Sequence, residues 1–144
     1  MTLFTIGFTR KSAETFFTLL QEAGARRVVD IRLNNSSQLA GFAKARDLAY
    51  LLRAIGGIDY LHQPMFAPTA DILDAFKKKE LAWDAYERAY DNLMNERDAD
   101  AFALAALRDG DCLLCSEHDP AQCHRRLFAE RLLRHNPDLE IAHL

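Results

Sequence analysis

Arg27-Val28-Val29-Asp30-Ile31, followed by Arg32, is a β-branched run with one carboxylate in it. A nearly continuous apolar stretch, in place of strict alternation, suits a strand covered on both faces. Outward from it, Leu3-Phe4-Thr5-Ile6 reads as a first strand ended by Gly7, and 58–61 as a third. Cys112-Leu113-Leu114-Cys115 reads as a fourth strand, and 140–143 as a short last one. Helical spacing separates them. Ser12 caps a helix over 13–23 that stops at Gly24, and Asp47 caps another over 48–55 closed by Gly56-Gly57. Thr69 or Asp71 opens a helix to about 78, and two more follow over 81–97 and 99–108. Asp119-Pro120-Ala121-Gln122 supplies an N-cap, a proline at the first helical position and a capping-box glutamine for a helix to about 134. Strands alternating with helices predict a single α/β domain of three layers, a mostly parallel, Rossmann-like sheet flanked by helices on both faces.

Composition agrees. The 144 residues are 49% hydrophobic and 27% charged, a globular balance that fits one domain. A chain of this length buries roughly two-thirds of its unfolded surface and needs no disulfide staple. No apolar run approaches the ~20 residues of a membrane span, and no secretory signal stands at the start, so neither a membrane nor export is expected. Three cysteines are the odd, low number of a reduced protein, and a cytoplasmic location follows as the expectation. The net charge of −3 divides unevenly: residues 1–67 carry eight basic against five acidic side chains, and 68–111 carry six against eleven. A dedicated nucleic-acid binder shows a global basic excess or a dense stripe. Neither is present.

In open parallel sheets ligands sit beyond the carboxyl ends of the strands. That rule gathers Thr9 and Arg10 with Lys11 after the first strand, Asp30 and Arg32 at the second, His62 after the third, and 115–126 after the fourth. Cys115-Ser-Glu-His-Asp-Pro-Ala-Gln-Cys123-His124-Arg125-Arg126 is the densest chemistry in the chain. Cys115 reads equally as a nucleophile or as core. Glu117, His118 and His124 can move protons, Cys123 lies in the first turns of the helix read from Asp119, where anions are favoured, and the arginines suit phosphate or carboxylate. Cys112 and Cys115, three apart on a strand, point to opposite faces and make no redox pair. Cys115, Cys123 and His124 have the softness of metal ligands but no zinc-module spacing, so no metal or cofactor is assigned. Asp30 and Arg32 pair internally or contact a ligand. The loop from Asn34 to Lys44 is long for a connector, its amides (Asn35, Gln38) offering hydrogen bonds and Phe42 a ring. Trp83, Tyr86 and Tyr90 form a stripe read as core or dimer contact, and Lys77-Lys78-Lys79 as a solvated helix end.

Thr5-Ile-Gly-Phe-Thr-Arg-Lys-Ser12, Val28-Val-Asp-Ile-Arg-Leu-Asn34 and the Cys-x-Glu-x-x-Pro-x-x-Cys-His-Arg motif at Cys115, Glu117, Pro120, Cys123, His124 and Arg125 together resemble the family called domain of unknown function 488. The resemblance spans nearly the whole chain and implies a small α/β fold of bacteria and archaea with no established activity. The residues themselves favour a cleft for a small anionic, phosphate- or nucleotide-like ligand. Arg10, Arg32 and Arg125 hold the anion there, Thr9, Asp30 and Cys123 contribute contacts, and Cys115, Glu117 and His124 are the reacting groups if it is a thiol-dependent enzyme. A nucleic-acid module and a metal or thiol sensor are the alternatives. Oligomeric state is not legible.

Overall fold

A computed structural model describes residues 1–36, 41–117 and 119–144. The chain runs β1 (Thr2–Gly7), α1 (Ala13–Ala23), β2 (Arg27–Asp30), α2 (Ala45–Gly56), β3 (Asp59–His62), α3 (Ala70–Lys77), α4 (Trp83–Glu96), α5 (Ala99–Ala106), β4 (Asp111–Cys115), α6 (His124–His135) and β5 (Glu140–His143). Short 3-10 turns stand at Gly41–Ala43, Pro64–Phe66 and Pro120–Gln122. Among the described residues five strands form one sheet, every pairing parallel, in the order β3-β2-β4-β1-β5. The expected α/β architecture is therefore present, with β4 placed between β1 and β2.

Two apolar clusters sandwich the sheet. Ile6, Val28, Cys112 and Leu114 pack against Phe16, Phe17 and Leu20 of α1 and Leu48 and Leu52 of α2. Leu3, Val29, Leu113 and Cys115 face Tyr86, Tyr90 and Met94 of α4, Ala103 of α5, and Leu127, Phe128 and Leu132 of α6. Burial of each larger side chain contributes roughly 1.5–3 kcal/mol. Cys112 and Cys115 do lie on opposite faces, as the strand period requires. Phe42 packs on Phe16 and Phe17, with ring centroids 5.4 and 6.0 Å apart, so that part of the long loop packs on the protein itself. Ser37, Gln38, Leu39, Ala40 and His118 lie outside the described residues. Among the described residues no helix is long and apolar enough to cross a membrane.

Two helix starts differ from expectation. Lys44, not Asp47, is the N-cap of α2, and Asp47 sits in its first turn, where its charge still favours the helix dipole. The helix read from Asp119 onward is broken in two. Asp119 accepts a hydrogen bond from the Ala121 N–H (2.9 Å) in the 3-10 turn, without the capping box. Cys123 is then extended (φ −137°, ψ 141°), and α6 starts afresh at His124. Cys123 is thus the cap residue of α6 and not a member of its first turn.

The connections fix where a ligand can sit. Helices α1 and α2 leave β1 and β2 toward one face, while α6 leaves β4 toward the other. Where neighbouring strands send their chains to opposite faces, a crevice opens at their carboxyl ends. Asp30, Arg32, Cys115 and Gly7 all stand at that edge.

Candidate functional site

Asp30 ends β2 fully buried, and its carboxylate gathers four donors. Arg32 supplies Nε (2.8 Å) and Nη2 (2.6 Å) to its two oxygens, plus its backbone N–H at 3.2 Å. The Tyr60 hydroxyl donates at 2.5 Å and itself accepts from Asn35 Nδ2. Burial, then the bond to Asp30, pushes the Tyr60 pKa upward, so this hydroxyl stays protonated. The Arg32 guanidinium lies 5.3 Å from the centroid of the Phe8 ring and is 2% exposed. Its third nitrogen, Nη1, is buried with no hydrogen-bond partner among the described residues. His62 Nε2–H donates to the Arg32 carbonyl at 2.9 Å and steadies the same turn.

Arg32 forms part of the lining of a cavity of about 650 Å³ at this edge. Cys115, Cys123 and His124 line it from the ends of β4 and α6, and Ser116, Glu117 and Gln122 from the loop between. The opposite wall is aromatic. Phe76 ends α3, and Trp83 and Tyr86 begin α4, the latter two rings stacked at 5.0 Å. The exposed Lys77 and Lys79 also line it. Lys79 is held at φ 61°, the left-handed region ordinarily left to glycine after a helix.

Cys115 and Cys123 are joined by a disulfide, where three reduced thiols were expected, and only Cys112 among the three is free. Beneath the bond lies Arg125, fully buried, whose Nη1 stands 3.9 Å from each sulfur. Nη1 also donates to the Glu117 carbonyl, and Nε to Thr5 Oγ1 at 3.3 Å. Burial lowers the Arg125 pKa to about 10, which still leaves it charged at neutral pH. Thr9 fastens the same loop, its backbone N–H (3.1 Å) and hydroxyl (2.5 Å) both donating to the Ser116 carbonyl.

The structure thus brings Arg32, Cys115, Glu117, Cys123 and His124 to one cavity, with Asp30 behind Arg32. Arg125 and Thr9 brace the floor from outside the lining, and Arg10 stands exposed in the turn after β1 at φ 62°. Leu33, Pro68, Leu73, Phe76, Leu81 and Ala82 line the cavity without being singled out in the sequence, and Trp83, Lys77 and Lys79, read there as core or dimer contact and as a solvated helix end, line it too. Their stripe and charge run are visible, but only the long crossover from β3 to β4 brings them over the edge.

His124 is almost fully buried, and its Nε2 lies 2.7 Å from the Ile31 carbonyl. A carbonyl only accepts, so Nε2 carries the proton and Nδ1 keeps a lone pair. Burial first, and the Arg125 charge in the same sense, lower its pKa to about 4; the Ile31 bond and Asp30 act against them. The folded state therefore resists protonation. Its stabilising effect is complete above the ordinary histidine value of about 6.5 and is lost as pH falls toward 4, roughly 3 kcal/mol in all. Urea midpoints of the wild type and His124→Gln, measured between pH 7 and 4, should converge or cross by that amount on acidification. A difference between them that stays constant over this range would show that His124 is not held neutral.

A family model described as "Domain of unknown function DUF488" matches residues 12–132. No curated protein and no solved structure shows significant similarity to the chain. The match extends from the cap of α1 into α6 and takes in β2, β4 and all the residues that line the cavity, so the chain belongs to the DUF488 family, a domain of unknown function.

Proposed function

We propose that the chain binds a small anionic ligand, phosphate- or nucleotide-like, in the cavity at the carboxyl edge of the sheet. The observation that carries this reading is Arg32 Nη1: a charged donor, buried in a cavity-lining residue, with no partner among the described residues. A buried donor left unmade costs about 1–3 kcal/mol, and more when it is charged, so such groups call for an explanation. A ligand oxygen supplies it once the groups that cover Nη1 part, since the nitrogen itself is closed to solvent. Asp30 neutralises one edge of the guanidinium and holds its plane, which leaves the remaining nitrogen to select an anion. Lys77 and Lys79 add positive charge at the lining. The left-handed backbone of Lys79, strain of about 1–3 kcal/mol for a residue with a side chain, is of the kind retained at binding sites. Phe76, Trp83 and Tyr86 offer a surface for a planar or apolar portion of the same ligand. Two small thiols of the glutathione class can reduce the disulfide by exchange, leaving as their own disulfide, and Cys115 then becomes available as a nucleophile at the floor, with Glu117 and His124 Nδ1 as proton carriers. A cytoplasmic setting fits this thiol chemistry.

Thermal unfolding against inorganic phosphate, sulfate, nucleotides and sugar phosphates tests the reading. At a hundred times its Kd a ligand adds about 2.7 kcal/mol of stability, several degrees in Tm. The double variant Asp30→Asn with Arg32→Gln removes both buried charges together and should abolish the shift. Stabilisation by none of these anions, or an undiminished shift in the double variant, would refute the proposal. Binding confined to long nucleic acid, with steep salt dependence, would favour the nucleic-acid alternative instead.

A further inference from the structure

We propose that, with the Cys115–Cys123 bond reduced, Cys115, Cys123 and His124 hold one zinc-class divalent ion whose fourth coordination position opens into the cavity. This site does not involve Arg32, whose anion contact stands or falls separately, but it takes up Cys115 and His124 Nδ1, so a bound ion replaces their roles as nucleophile and proton carrier. The two sulfurs and one ring nitrogen of His124 lie within 4.8 Å of one another, and all three residues are buried. Zinc bonds of about 2.3 Å to sulfur and 2.0–2.1 Å to nitrogen place ligand atoms roughly 3.5–4 Å apart, so small side-chain movements complete the geometry. The Cα atoms of Cys115 and Cys123 are 7.5 Å apart, beyond the 4.4–6.8 Å usual for a disulfide, which leaves room for an ion between two thiolates.

The surroundings suit a metal in three further ways. His124 gives its Nε2 proton to the Ile31 carbonyl, the outer hydrogen bond that orients a ligating imidazole and leaves Nδ1 as the donor atom. Arg125, 3.9 Å from both sulfurs, favours their thiolate forms. Three protein ligands, two of them soft sulfurs, are the set of an open zinc site and disfavour magnesium or calcium. The fourth position faces the space lined by Glu117 and Trp83, where water or a ligand oxygen can occupy it.

The electron balance is simple. A water-soluble phosphine breaks the S–S bond and takes the oxygen of one water, whose two protons go to the sulfurs; the ion then displaces both protons. Protein reduced in this way without oxygen, freed of the phosphine and titrated with Co²⁺ alone, should bind one equivalent. The spectrum should show thiolate-to-cobalt charge transfer and strong tetrahedral d–d bands, which Zn²⁺ removes. Cys112→Ser should behave as the wild type. Cys115→Ser and Cys123→Ser should lose the charge-transfer intensity, and His124→Gln should weaken binding tenfold or more while altering the d–d bands. The oxidised wild type, identical in sequence and folded, should stay silent and serves where a variant does not fold. Two newly titratable thiols without a cobalt band would overturn the proposal. So would the same band in oxidised protein, or one untouched by Cys123→Ser.

Discussion

Gly7→Ala should destabilise the protein by at least about 4 kcal/mol, in the range reached only when backbone or a buried network is displaced. Gly7 ends β1 in register with Cys115, and the chain after Cys115 folds back directly over it. A Cβ at this position would lie 1.6 Å from the Glu117 carbonyl oxygen and 2.6 Å from Arg125 Nη1. The nearest atom is backbone, so no rotamer change relieves the clash. Residues 116–117 would have to lift away, which would break the Arg125 bond to the Glu117 carbonyl and the Thr9 bonds to Ser116. A fully buried guanidinium would then lose its principal acceptor. Urea unfolding at neutral pH measures the effect. A loss under 1 kcal/mol would mean that the loop does not pass over this glycine.

Asp30→Asn should cost about 3–5 kcal/mol, since removing one member of a buried ion pair strands the other. The substitution is nearly isosteric, so the loss reads the charge and not the packing. Arg32 keeps its place at 2% exposure but faces a neutral amide whose NH₂ cannot accept, and the Tyr60 hydroxyl loses a charged acceptor. Tyr60→Phe removes the bond to Asp30 and the one accepted from Asn35 but leaves the ion pair, and should cost about 1–2 kcal/mol, below Asp30→Asn. Equal losses in the two variants, by urea midpoint at pH 7, would show that the ion pair contributes little.

The sheet is legible in the sequence because its strands are short apolar runs closed by breakers. The same logic slips by one residue at β3. Ile58 is apolar and buried, yet its N–H closes α2 on the Leu52 carbonyl, and sheet pairing begins at Asp59. Local signals place Cys123 inside a helix because Asp119-Pro120 is a genuine helix start, which in the fold serves only one 3-10 turn. The extended Cys123 brings its sulfur to Cys115, a long-range contact that local propensity does not encode. Periodicity marks Arg125 as an inward-facing side chain. It recurs with Phe128, Ala129 and Leu132 at the spacing of one inner helix face, while Arg126 shares the outer face with Glu130. The basic character of the pair drew both toward a ligand, whereas periodicity separates them. Asp30 and Arg32 were legible as partners, but the unmatched nitrogen that gives the pair its meaning is visible only in three dimensions.

The central position of β4 also governs when this fold can come into being. β1 and β2 are not neighbours; each pairs with β4, whose residues arrive more than eighty positions after the start of β2 and more than a hundred after that of β1. A growing chain that displays only residues 1–62 has a single strand pair, β2 with β3, and nothing to join it to β1. The apolar faces of α1 and α2 must therefore wait, uncovered by a complete sheet, until residue 115 is free of the ribosome. Contacts of such long sequence separation also slow the search for the native state, because loop closure must precede any gain from pairing. Biosynthesis thus passes through a long interval in which the first half of the protein is hydrophobic and unfinished, the stage at which aggregation competes with folding.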